Sequence, residues 1–600
     1  MKKKLVLYYN TIKYLKPKQV YYRLFNRFKR ELYKRNLVTI KLKLNDTKKN
    51  KKQGTFIIPE LDFNESYLER FNIEDVLNDK YTFINITHQV ELKNAWNNKD
   101  LQHLWRYNLH YFEYLYKLAY EYSKKENATI FYEKYKSLIN NWIDNNRFAY
   151  GDGWHPYTIS LRITNWISTY QMFEERLEQD VEFNKRFKVS IYEQYKYLQS
   201  NLEKDVLGNH YFENIKALII GSVFFEDIRV KEKFKKELLY QLDEQILDDG
   251  MHFELSPMYH KIILEDLIKI TYWLKDDIIY RSLISYIQKM LDVLYSLEDS
   301  FGKTPAFNDS ADGISRDLNC LLEVCKTVFN LEPQFKKTLG NSGYYIVKDH
   351  YKKLIFDTGD ICPSYLPAHG HCDALSFELS INTKPFIVNS GTFRYENGKW
   401  RDYFRSTKAH NTVTISEQEQ SQLWGNFRVA KRIKSVRRKH FIYNNIPFYS
   451  GAYTSYQGAE HKRYIGNIDS DKLIVLDYVT TKSKGKVKSY LHFVPGTKLE
   501  KVNNSIHILN TKRERMEINF IGTREVDFEH GWYSQEFNVK EENCTVICNK
   551  DESKDVFGYL IQINPYNIQQ YKIYQSETEI KLISDTDEIK INIKELGGVL

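Results

Sequence analysis

The hydrophobic pattern of this chain changes its period once, near residue 340, and that change limits the folds available to it. From about residue 95 to 335, apolar residues recur every three or four positions, as in amphipathic helices. One such stripe consists of Leu101, Leu104, Trp105, Leu109, Phe112, Leu115, Leu118 and Ala119. Beyond Gly340 the alternation has period two, as in Ser376-Phe377-Glu378-Leu379-Ser380-Ile381, which is typical of half-buried strands. The sequence therefore predicts an all-α part followed by an all-β part.

This pattern predicts an α+β multidomain chain with three regions. Residues 1–95 form a less regular, basic N-terminal region, residues 96–338 a helical domain and residues 339–600 a β-domain. Successive helices joined by short loops indicate a bundle, a solenoid or a helical toroid. Short strands separated by Gly, Asn and Asp turns favour antiparallel sheets packed as a β-sandwich.

Composition excludes several classes of protein. The chain has 600 residues, 42% of them hydrophobic and 28% charged, which fits neither a disordered nor a fibrous protein. Its longest apolar stretch, residues 217–225, is too short to cross a bilayer. Six cysteines without a Cys-x-x-Cys pair argue against a disulfide framework or a cysteine-rich zinc module.

Asn10 and Lys13 interrupt the apolar stretch after the first lysines, so we predict no secretory signal. We therefore predict a location in the cytoplasm or at the inner membrane face.

Positive charge is concentrated at the start of the chain. Residues 1–50 contain 16 Lys and Arg but only two acidic residues, Glu31 and Asp46. Apolar residues at helical spacing lie among these charges and predict a basic amphipathic helix; they are Tyr21, Leu24, Phe25, Phe28 and Leu32. Such a helix either packs on the body with a solvated charged face or contacts a membrane surface or an acidic polymer. No nucleic-acid recognition motif accompanies the charge, so no nucleic-acid partner is expected.

Polar and aromatic residues that make poor core material cluster at four places. These are Gly208-Asn209-His210, the stretch Glu254–His260, His369-Gly370-His371-Cys372-Asp373, and the stretch Asn389–Thr412. Asn209 alone fits a helix N-cap, and Ser256-Pro257 fits a helix start that places Tyr259 in the first turn. A His-x-His sequence on an extended segment points both imidazoles to one side, as a metal or a shared site requires. The density of histidine, tyrosine and arginine from 369 to 412 favours a functional site.

Several of these strings resemble the heparinase II/III family of polysaccharide lyases and their alginate-lyase relatives. The strings that carry the resemblance are Asn209-His210, Ser256-Pro257-x-Tyr259-His260, His369-Gly370-His371-x-Asp373-Ala374-Leu375-Ser376-Phe377, Ser390-Gly391-Thr392 and Arg405-Ser406-Thr407-x-Ala409-His410-Asn411-Thr412, with Trp154-His155-Pro156-Tyr157, Arg162 and Trp166 as further support. The resemblance implies an incomplete (α/α) toroid followed by an antiparallel β-sandwich. It also implies β-elimination at 4-linked uronic acid in an acidic polysaccharide, in which a base removes the C5 proton and an acid protonates the leaving O4.

The resemblance also implies a role for individual residues. Neutral Asn209 or His210, hydrogen-bonded to the uronate carboxylate, would disperse the charge that develops beside it. Tyr259 would be the acid, and the base for one substrate epimer, whereas His369 would be the base for the other. Tyr395 matches a further active-site tyrosine. Three arginines, Arg162, Arg401 and Arg405, are candidates for binding uronate or sulfate, which a guanidinium grips with two hydrogen bonds.

A structural divalent ion, zinc or calcium, is part of the same resemblance. Its ligand positions correspond to His371, Asn389 and His410. Asn389 stands where relatives have an Asp, so the site loses an anionic ligand. If the ion is absent, His371 and His410 are expected to form hydrogen bonds near Asn389.

Three functions remain open from the sequence. The first is a lyase that cleaves a uronate-containing polysaccharide. The second is a non-lytic protein that binds or assembles a surface polysaccharide on the same scaffold. The third is a C5-epimerase or hydrolase, because epimerisation shares the abstraction of the C5 proton with the lyase reaction.

Overall fold

The fold is described from a computed structural model, for residues 2–35, 55–124, 129–298, 303–434, 436–481, 485–502, 505–509, 515–523, 525–550, 556–563 and 568–597. A helical domain is followed by a β-rich domain, as the change of period predicts. Among the described residues, no helix is both long enough and apolar enough to span a membrane.

The first part of the chain forms two layers of helices. Its elements are α1 (Lys2–Ile12), α2 (Pro17–Lys34), α3 (Pro59–Asp62), α4 (Glu65–Leu68), α5 (Ile73–Leu77), the hairpin β1 (Lys80–Phe83) and β2 (Ile86–Gln89), α6 (Leu92–Ala95), α7 (His103–Tyr111), α8 (Leu115–Lys124), α9 (Thr129–Asn145), α10 (Pro156–Tyr170), α11 (Glu174–Gln179), α12 (Val181–Ser200), α13 (Gly208–Phe224), α14 (Ile228–Gln245), α15 (Pro257–Trp273), α16 (Tyr280–Leu297) and α17 (Leu318–Phe329). Helices α10, α13 and α15 are buried along nearly their whole length. Helices α12, α14 and α16 bury only one face, so they form the outer layer of the toroid.

The second part of the chain is built mainly from strands. They are β3 (Thr338–Leu339), β4 (Tyr344–Lys348), β5 (Lys352–Asp357), β6 (Phe377–Ile381), β7 (Lys384–Ile387), β8 (Val413–Ile415), β9 (Leu423–Trp424), β10 (Arg428–Val429), β11 (Arg437–Tyr443), β12 (Ile446–Thr454), β13 (Glu460–Asn467), β14 (Lys472–Thr480), β15 (Val487–His492), β16 (Lys498–Val502), β17 (Ser505–Leu509), β18 (Arg515–Ile521), β19 (Glu525–Glu536), β20 (Val539–Lys550), β21 (Phe557–Gln562), β22 (Lys572–Gln575), β23 (Glu579–Ile583) and β24 (Glu588–Asn592), with the helices α18 (Lys399–Arg405) and α19 (Ile593–Gly597). They form an eight-stranded sheet (β11-β12-β13-β14-β21-β18-β17-β16), a five-stranded sheet (β3 to β7 in order), a four-stranded sheet (β19-β20-β15-β8) and smaller sheets.

These sheets pack face to face. One continuous core contains Phe356 and Leu379 of the five-stranded sheet, Val475 and Ile561 of the eight-stranded sheet, and Leu491 of the four-stranded sheet. The other face of the eight-stranded sheet packs against the three-stranded sheet β22-β23-β24. Apolar side chains on alternate positions of facing strands are what a sandwich requires. The predicted fold class, a helical toroid followed by antiparallel β-sheets, is confirmed.

The basic N-terminal region packs on both domains. The amphipathic helix predicted around residues 21–32 is α2, whose Tyr33 ring lies 5.4 Å from that of Tyr197 in the toroid. In α1, Thr11 Oγ1 accepts a 3.0 Å hydrogen bond from the indole of Trp424 in the β-domain. Residues 36–54, which hold the rest of the basic stretch, lie outside the described residues.

The two domains meet over a broad interface. The last helix of the toroid ends at Phe329 and the first strand of the β-domain begins at Thr338, beside the predicted division at 338–339. The β19–β20 hairpin reaches back to the N-terminal region, where Asn538 Nδ2 donates to the carbonyl of Ile84 at 2.9 Å. The side of this interface where α13 and α15 begin contains the site described next.

Candidate active site

A cavity of about 830 Å³ lies between the toroid and the β-domain. All five residues predicted to be catalytic contribute to its wall: Asn209, His210, Tyr259, His369 and Tyr395. The first three come from the starts of α13 and α15, and the last two come from loops of the β-domain. Residues that are up to 186 positions apart in sequence therefore share one cavity.

Asn209 is fixed by a buried glutamate. Its backbone N–H donates to Glu254 Oε1 at 2.9 Å, and its side-chain amide donates to both carboxylate oxygens of Glu254 at 3.1 Å. Gly208 has a φ of +56°, and a Cβ there would lie 2.2 Å from Glu254 Oε1, so only glycine fits. Asn209 lies inside α13 and Leu207 is the N-cap, so the interpretation of Asn209 as a helix cap is wrong.

His210 forms an ion pair with a second buried carboxylate. Its Nδ1 lies 2.9 Å from Glu203 Oε1, and Asn214 Nδ2 donates to the other oxygen of Glu203 at 2.9 Å. Burial acts to lower the pKa of His210, but the negative charge of Glu203 outweighs it and raises that pKa. The Tyr157 ring lies 4.4 Å from the imidazole. The charge of Glu203 therefore favours the protonated form of His210, which faces the cavity.

Tyr259 occupies the first turn of α15, as the Ser-Pro helix start predicts. Ser256 is the N-cap and its Oγ accepts the Tyr259 N–H at 3.3 Å. The Tyr259 Oη lies 3.2 Å from Tyr395 Oη, and its ring centroid is 3.9 Å from that of His369. Burial and the charge of Asp309 raise the pKa of Tyr259 far above its ordinary value. The phenol therefore retains its proton in the free protein.

Asp309 organises the histidines of the β-domain. Its two carboxylate oxygens contact His369 Nδ1 at 3.0 Å and His371 Nε2 at 2.9 Å, so the His-x-His segment does point both rings to one partner. The Arg401 guanidinium donates to both oxygens as well. Although burial opposes ionisation, Arg401 holds the pKa of Asp309 well below its usual range. The fixed carboxylate leaves the His369 Nε2 directed toward Glu254 Oε2, 3.4 Å away.

The three predicted substrate-binding arginines lie outside the cavity wall. Arg162 is fully buried and donates to Gln194 Oε1 and to the carbonyls of His110 and Gly153. Arg401 is paired with Asp309. Arg405 donates to backbone carbonyls, including that of Gly370 at 3.0 Å, and burial lowers its pKa to about 10. Because their donors bond within the protein, the structure corrects the predicted role: these arginines position other groups rather than bind substrate.

The three predicted metal ligands lie close together but do not form a complete site. The rings of His371 and His410 are 5.3 Å apart. His371 Nδ1 and both ring nitrogens of His410 have no hydrogen-bond partner within the described part of the chain. Asn389, however, accepts from the Asn411 N–H at 3.0 Å and donates to Ser376 Oγ at 3.3 Å. Two imidazoles and an already bonded amide do not match a zinc or calcium centre, and the described residues contain no group of three or more His, Cys, Asp or Glu able to hold a metal.

Sequence reasoning missed the three carboxylates behind the reactive groups, Glu203, Glu254 and Asp309. Each is at most 3% exposed. Glu254 belongs to a polar cluster that was singled out, although no role was assigned to it. Glu203 and Asp309 lie in loops before α13 and α17, where an acidic residue is ordinary. The one feature of the sequence that could have pointed to these two acids is indirect: a buried histidine or arginine needs a counter-charge.

Family models match nearly the whole chain. The model for the heparinase II/III N-terminus matches residues 3–336, and that for the heparinase II/III-like C-terminal region matches residues 333–588. A heparin-sulfate lyase from Pedobacter heparinus is 23% identical over 374 residues, which cover 57% of this chain and 54% of the relative. One from Bacteroides stercoris is 22% identical, covering 70% of this chain and 66% of the relative. The chain thus aligns with between half and two thirds of the length of these relatives.

Solved structures share the fold. A heparinase III structure has a TM-score of 0.72 at 16% identity and covers 96% of this chain and 97% of its own. A heparan sulfate lyase mutant from Pedobacter heparinus has a TM-score of 0.64 at 17% identity, covering 96% and 95%. Because the two matching models join at residues 333–336 and extend over both domains, the chain belongs to the heparinase II/III family.

Proposed function

We propose that this protein is a polysaccharide lyase that cleaves 4-linked uronic acid by β-elimination. The observation that carries the proposal is the convergence of Asn209, His210, Tyr259 and His369 on one cavity from two domains. Each of these side chains is oriented by a buried partner on the protein, which is the preorganisation that proton transfer requires. The curated relatives named heparin-sulfate lyase support an acidic polysaccharide as the substrate class.

The first task of such a site is to weaken the charge of the substrate carboxylate. The C5 proton is adjacent to that carboxylate, so an ionised and unpaired carboxylate opposes its removal. His210, whose protonated form is favoured by Glu203 at 2.9 Å, would supply an opposite charge. Asn209 donates its side-chain amide to Glu254. The amide N–H that does not bond to Glu254 would donate to the substrate carboxylate. Both lie on the first turn of α13, so they would bind one carboxylate together.

The second task is to move two protons. Because the pKa of Tyr259 is raised by burial and by Asp309, its phenol is suited to donate a proton to the leaving O4. His369 lies against the Tyr259 ring, with Nδ1 bonded to Asp309. Its other ring nitrogen, Nε2, lies 3.4 Å from Glu254 Oε2 and would abstract the C5 proton when a bound substrate replaces that contact. With the other C5 epimer, the phenol would accept the proton instead. Tyr395, 3.2 Å from the Tyr259 oxygen, would orient the phenol in either case.

The experiment follows the ultraviolet absorbance of the unsaturated uronate product. Purified protein is incubated with a panel of acidic polysaccharides, and Tyr259→Phe is compared with Tyr240→Phe. Tyr240 is 59% exposed on α14 and serves as the matched control. We expect absorbance to rise with at least one polymer, to fall on the order of 10³-fold in Tyr259→Phe and to stay unchanged in Tyr240→Phe.

Two results would contradict the lyase proposal. Binding of a polymer without any new chromophore would favour the non-lytic function. Exchange of the C5 hydrogen with deuterated solvent without chain cleavage would favour the epimerase, because that reaction replaces the proton instead of expelling O4.

We also propose that the N-terminal helices contact an anionic membrane surface peripherally. Exposed apolar side chains form a row on α1, with Leu5 60% and Tyr9 70% exposed, and on α2, with Leu24 68% and Phe28 64% exposed. Lysines and arginines interrupt this row, and residues 1–50 carry 16 of them. An apolar face bordered by cations matches the interface of a bilayer that contains anionic lipid. The predicted location is the cytoplasm or the inner membrane face, and the second of these is the one that this proposal requires.

The test of membrane contact is co-sedimentation with vesicles that contain about 30% anionic lipid. Leu24→Ser combined with Phe28→Ser is expected to reduce the bound fraction several-fold. Ile278→Ser is the control, because Ile278 is 91% exposed after α15 and outside the apolar row. Equal binding of both variants and of the unaltered protein would show that the helices do not mediate contact.

A further inference from the structure

Helix α2 directs polar side chains toward the protein and apolar side chains toward solvent. Gln19 is 1% exposed, whereas Leu24 and Phe28 are 68% and 64% exposed. A surface helix ordinarily buries its apolar stripe instead, so the polar stripe of α2 is expected to have partners in the protein. Five of the less exposed positions of the helix recur at heptad spacing; they are Gln19, Tyr22, Asn26, Lys29 and Tyr33.

The polar stripe bonds to the loop between α12 and α13. Asn26 Nδ2 donates to the carbonyl of Leu202 at 3.4 Å and to Asp205 Oδ1 at 2.9 Å. Gln19 Nε2 donates to the carbonyl of Val206 at 3.4 Å. These side chains satisfy acceptors that lie outside both helices of the toroid, so α2 holds the loop in one conformation.

This loop determines where His210 lies. It contains Glu203, the buried partner of His210 at 2.9 Å, and it ends at Leu207, whose φ of +69° is an uncommon conformation for a leucine. Gly208 follows with a φ of +56°, and the chain then enters α13. A strained backbone persists only where its surroundings fix it, and the carbonyl that Gln19 binds belongs to the residue before Leu207.

The start of α2 also holds a loop of the β-domain. Lys16 Nζ lies 3.8 Å from the centroid of the Tyr365 ring. Lys16 also pairs with Glu244 of α14, which accepts the Tyr365 hydroxyl at 2.7 Å. The Gln19 amide lies 3.5 Å from the Tyr365 carbonyl, so one side chain contacts carbonyls of both domains. The same loop of the β-domain carries His369.

Helix α1 fixes a third segment, the β9–β10 hairpin. The Tyr8 ring packs edge-on against Trp424 at 4.9 Å, and the Trp424 indole donates to Thr11. The turn of this hairpin places Phe427 in the cavity wall, with its ring centroid 6.1 Å from that of His369. The two helices therefore contact three segments that each lead into the cavity wall.

We propose that α1 and α2 form a clasp that fixes the two walls of the active site relative to each other, an inference that rests on the proposed lyase function. Lys16 and Gln19 are its positioning residues, since they contact both domains but are not part of the cavity wall. The reaction needs His210 on one wall and His369 on the other at the same time. A shift between the walls therefore lowers the rate even when each wall is intact.

The experiment compares two double variants of the full chain. Lys16→Met combined with Gln19→Met, the clasp variant, removes the contacts that the start of α2 makes with both domains. Lys18→Met combined with Gln179→Met is the matched control, because it makes the same two exchanges at exposed positions of α2 and α11. Methionine is unbranched and flexible, so it fills the space of either side chain with little repacking.

Two measurements are made on each protein. Hydrogen exchange followed by mass spectrometry reports the opening of residues 200–207 and 364–370, and steady-state kinetics on a soluble polymer report kcat and KM separately. In the clasp variant we expect exchange in both segments to be about tenfold faster. We also expect kcat to fall about tenfold while KM changes by less than about threefold. The control should match the unaltered protein in both measurements.

A conservative change separates positioning from stability. Lys16→Arg keeps a cation that can pair with Glu244 and stack on the Tyr365 ring, so it should retain kcat within about twofold. Lys16→Met alone should lower kcat about threefold. A contact that only stabilised the fold would lower the melting temperature of Lys16→Met and leave its kcat unaltered well below that temperature, and this result would overturn the inference.

Hydrogen exchange separates this inference from the proposed function. If no polymer yields a chromophore, the lyase proposal fails, and the exchange rates of the two segments still decide whether the clasp holds them. Unchanged exchange in either segment of the clasp variant would overturn the inference. Equal acceleration in the control would overturn it as well, because the control leaves the contacts with both domains in place.

Discussion

The helical wall of the cavity carries its reactive side chains on the first turns of two helices, whereas the β-domain wall carries them on loops between strands. On the helical wall, Asn209, His210 and Tyr259 are oriented by helix geometry, and separate carboxylates hold the first two. On the β-domain side, His369 lies in the wall and shares one carboxylate, Asp309, with His371 and Arg401 behind the wall. Loss of one carboxylate on the helical side therefore affects one of these two groups, whereas loss of Asp309 affects three groups at once.

The strongest test of this difference is Asp309→Asn. The change leaves the buried Arg401 without its counter-charge, which should lower the free energy of unfolding by about 3–5 kcal/mol. Because His369 also loses its orienting partner, we expect kcat/KM to fall on the order of 10²-fold. Denaturant unfolding and steady-state kinetics measure the two effects.

The matched control is Asp402→Asn, an exposed acid next to Arg401 on α18. It should change the free energy of unfolding by no more than about 0.5 kcal/mol. The value of kcat/KM should change by no more than the equivalent factor of about two. A stable and active Asp309→Asn protein would remove the basis of the contrast between the two walls.

On the helical wall, Glu203→Gln is expected to have a smaller effect. The raised pKa of His210 depends on Glu203, Glu254 and Glu213, against the effect of burial. Removal of the Glu203 charge should shift the alkaline limb of the kcat/KM profile to lower pH, so activity should fall several-fold on that limb, above the ordinary His pKa of 6.5.

The ion pair of His210 and Glu203 should also make the stability of the unaltered protein depend on pH. Because folding raises the pKa of His210, its protonated form stabilises the fold fully below the ordinary value of 6.5, and this contribution is lost as the pH rises through the raised value. Glu237→Gln, which alters a partner of Tyr211 outside the cavity, is the control. Superimposable pH profiles for Glu203→Gln and the unaltered protein would contradict the role given to the ion pair.

The smallest expected effect concerns Asn389, which is buried in the β-domain. Asn389→Asp supplies the carboxylate that the two histidines lack, so this variant should bind zinc and gain about 3 °C or more in melting temperature with zinc over chelator. Elemental analysis and thermal unfolding check this, with the unaltered protein measured in parallel. The structural ion stays a prediction for the unaltered protein, and stoichiometric zinc in it would show that Asn389 is no obstacle to binding.

The parts of the fold that sequence reasoning predicted are those encoded by short-range patterns. The period change near residue 340 fixes the order of the two domains, and the Ser256-Pro257 pair fixes the start of α15 and the position of Tyr259. The clustering of His369 with Tyr395 follows from their proximity along the chain and from the family resemblance. These signals depend on neighbours within a few tens of residues.

The parts that sequence reasoning missed depend on pairs distant in the chain. Asp309 is 60 residues from His369 and 92 from Arg401, and no periodicity connects them. For the same reason the arginines were assigned to substrate: a guanidinium with a buried partner and one without look alike in sequence. Asn209 appeared to be a cap because Glu254, 45 residues away, was not available as a partner.

The shared carboxylate also constrains how this protein can evolve. Asp309 belongs to the segment before α17, yet it serves residues of the β-domain. A recombinant that joins this toroid to the β-domain of a distant relative would contain the acid without matching histidines and arginine. The reciprocal recombinant would contain the histidines and the arginine without the acid. The two domains therefore have to be inherited as a set, and substitutions at Asp309, His369, His371 and Arg401 should be found together or not at all.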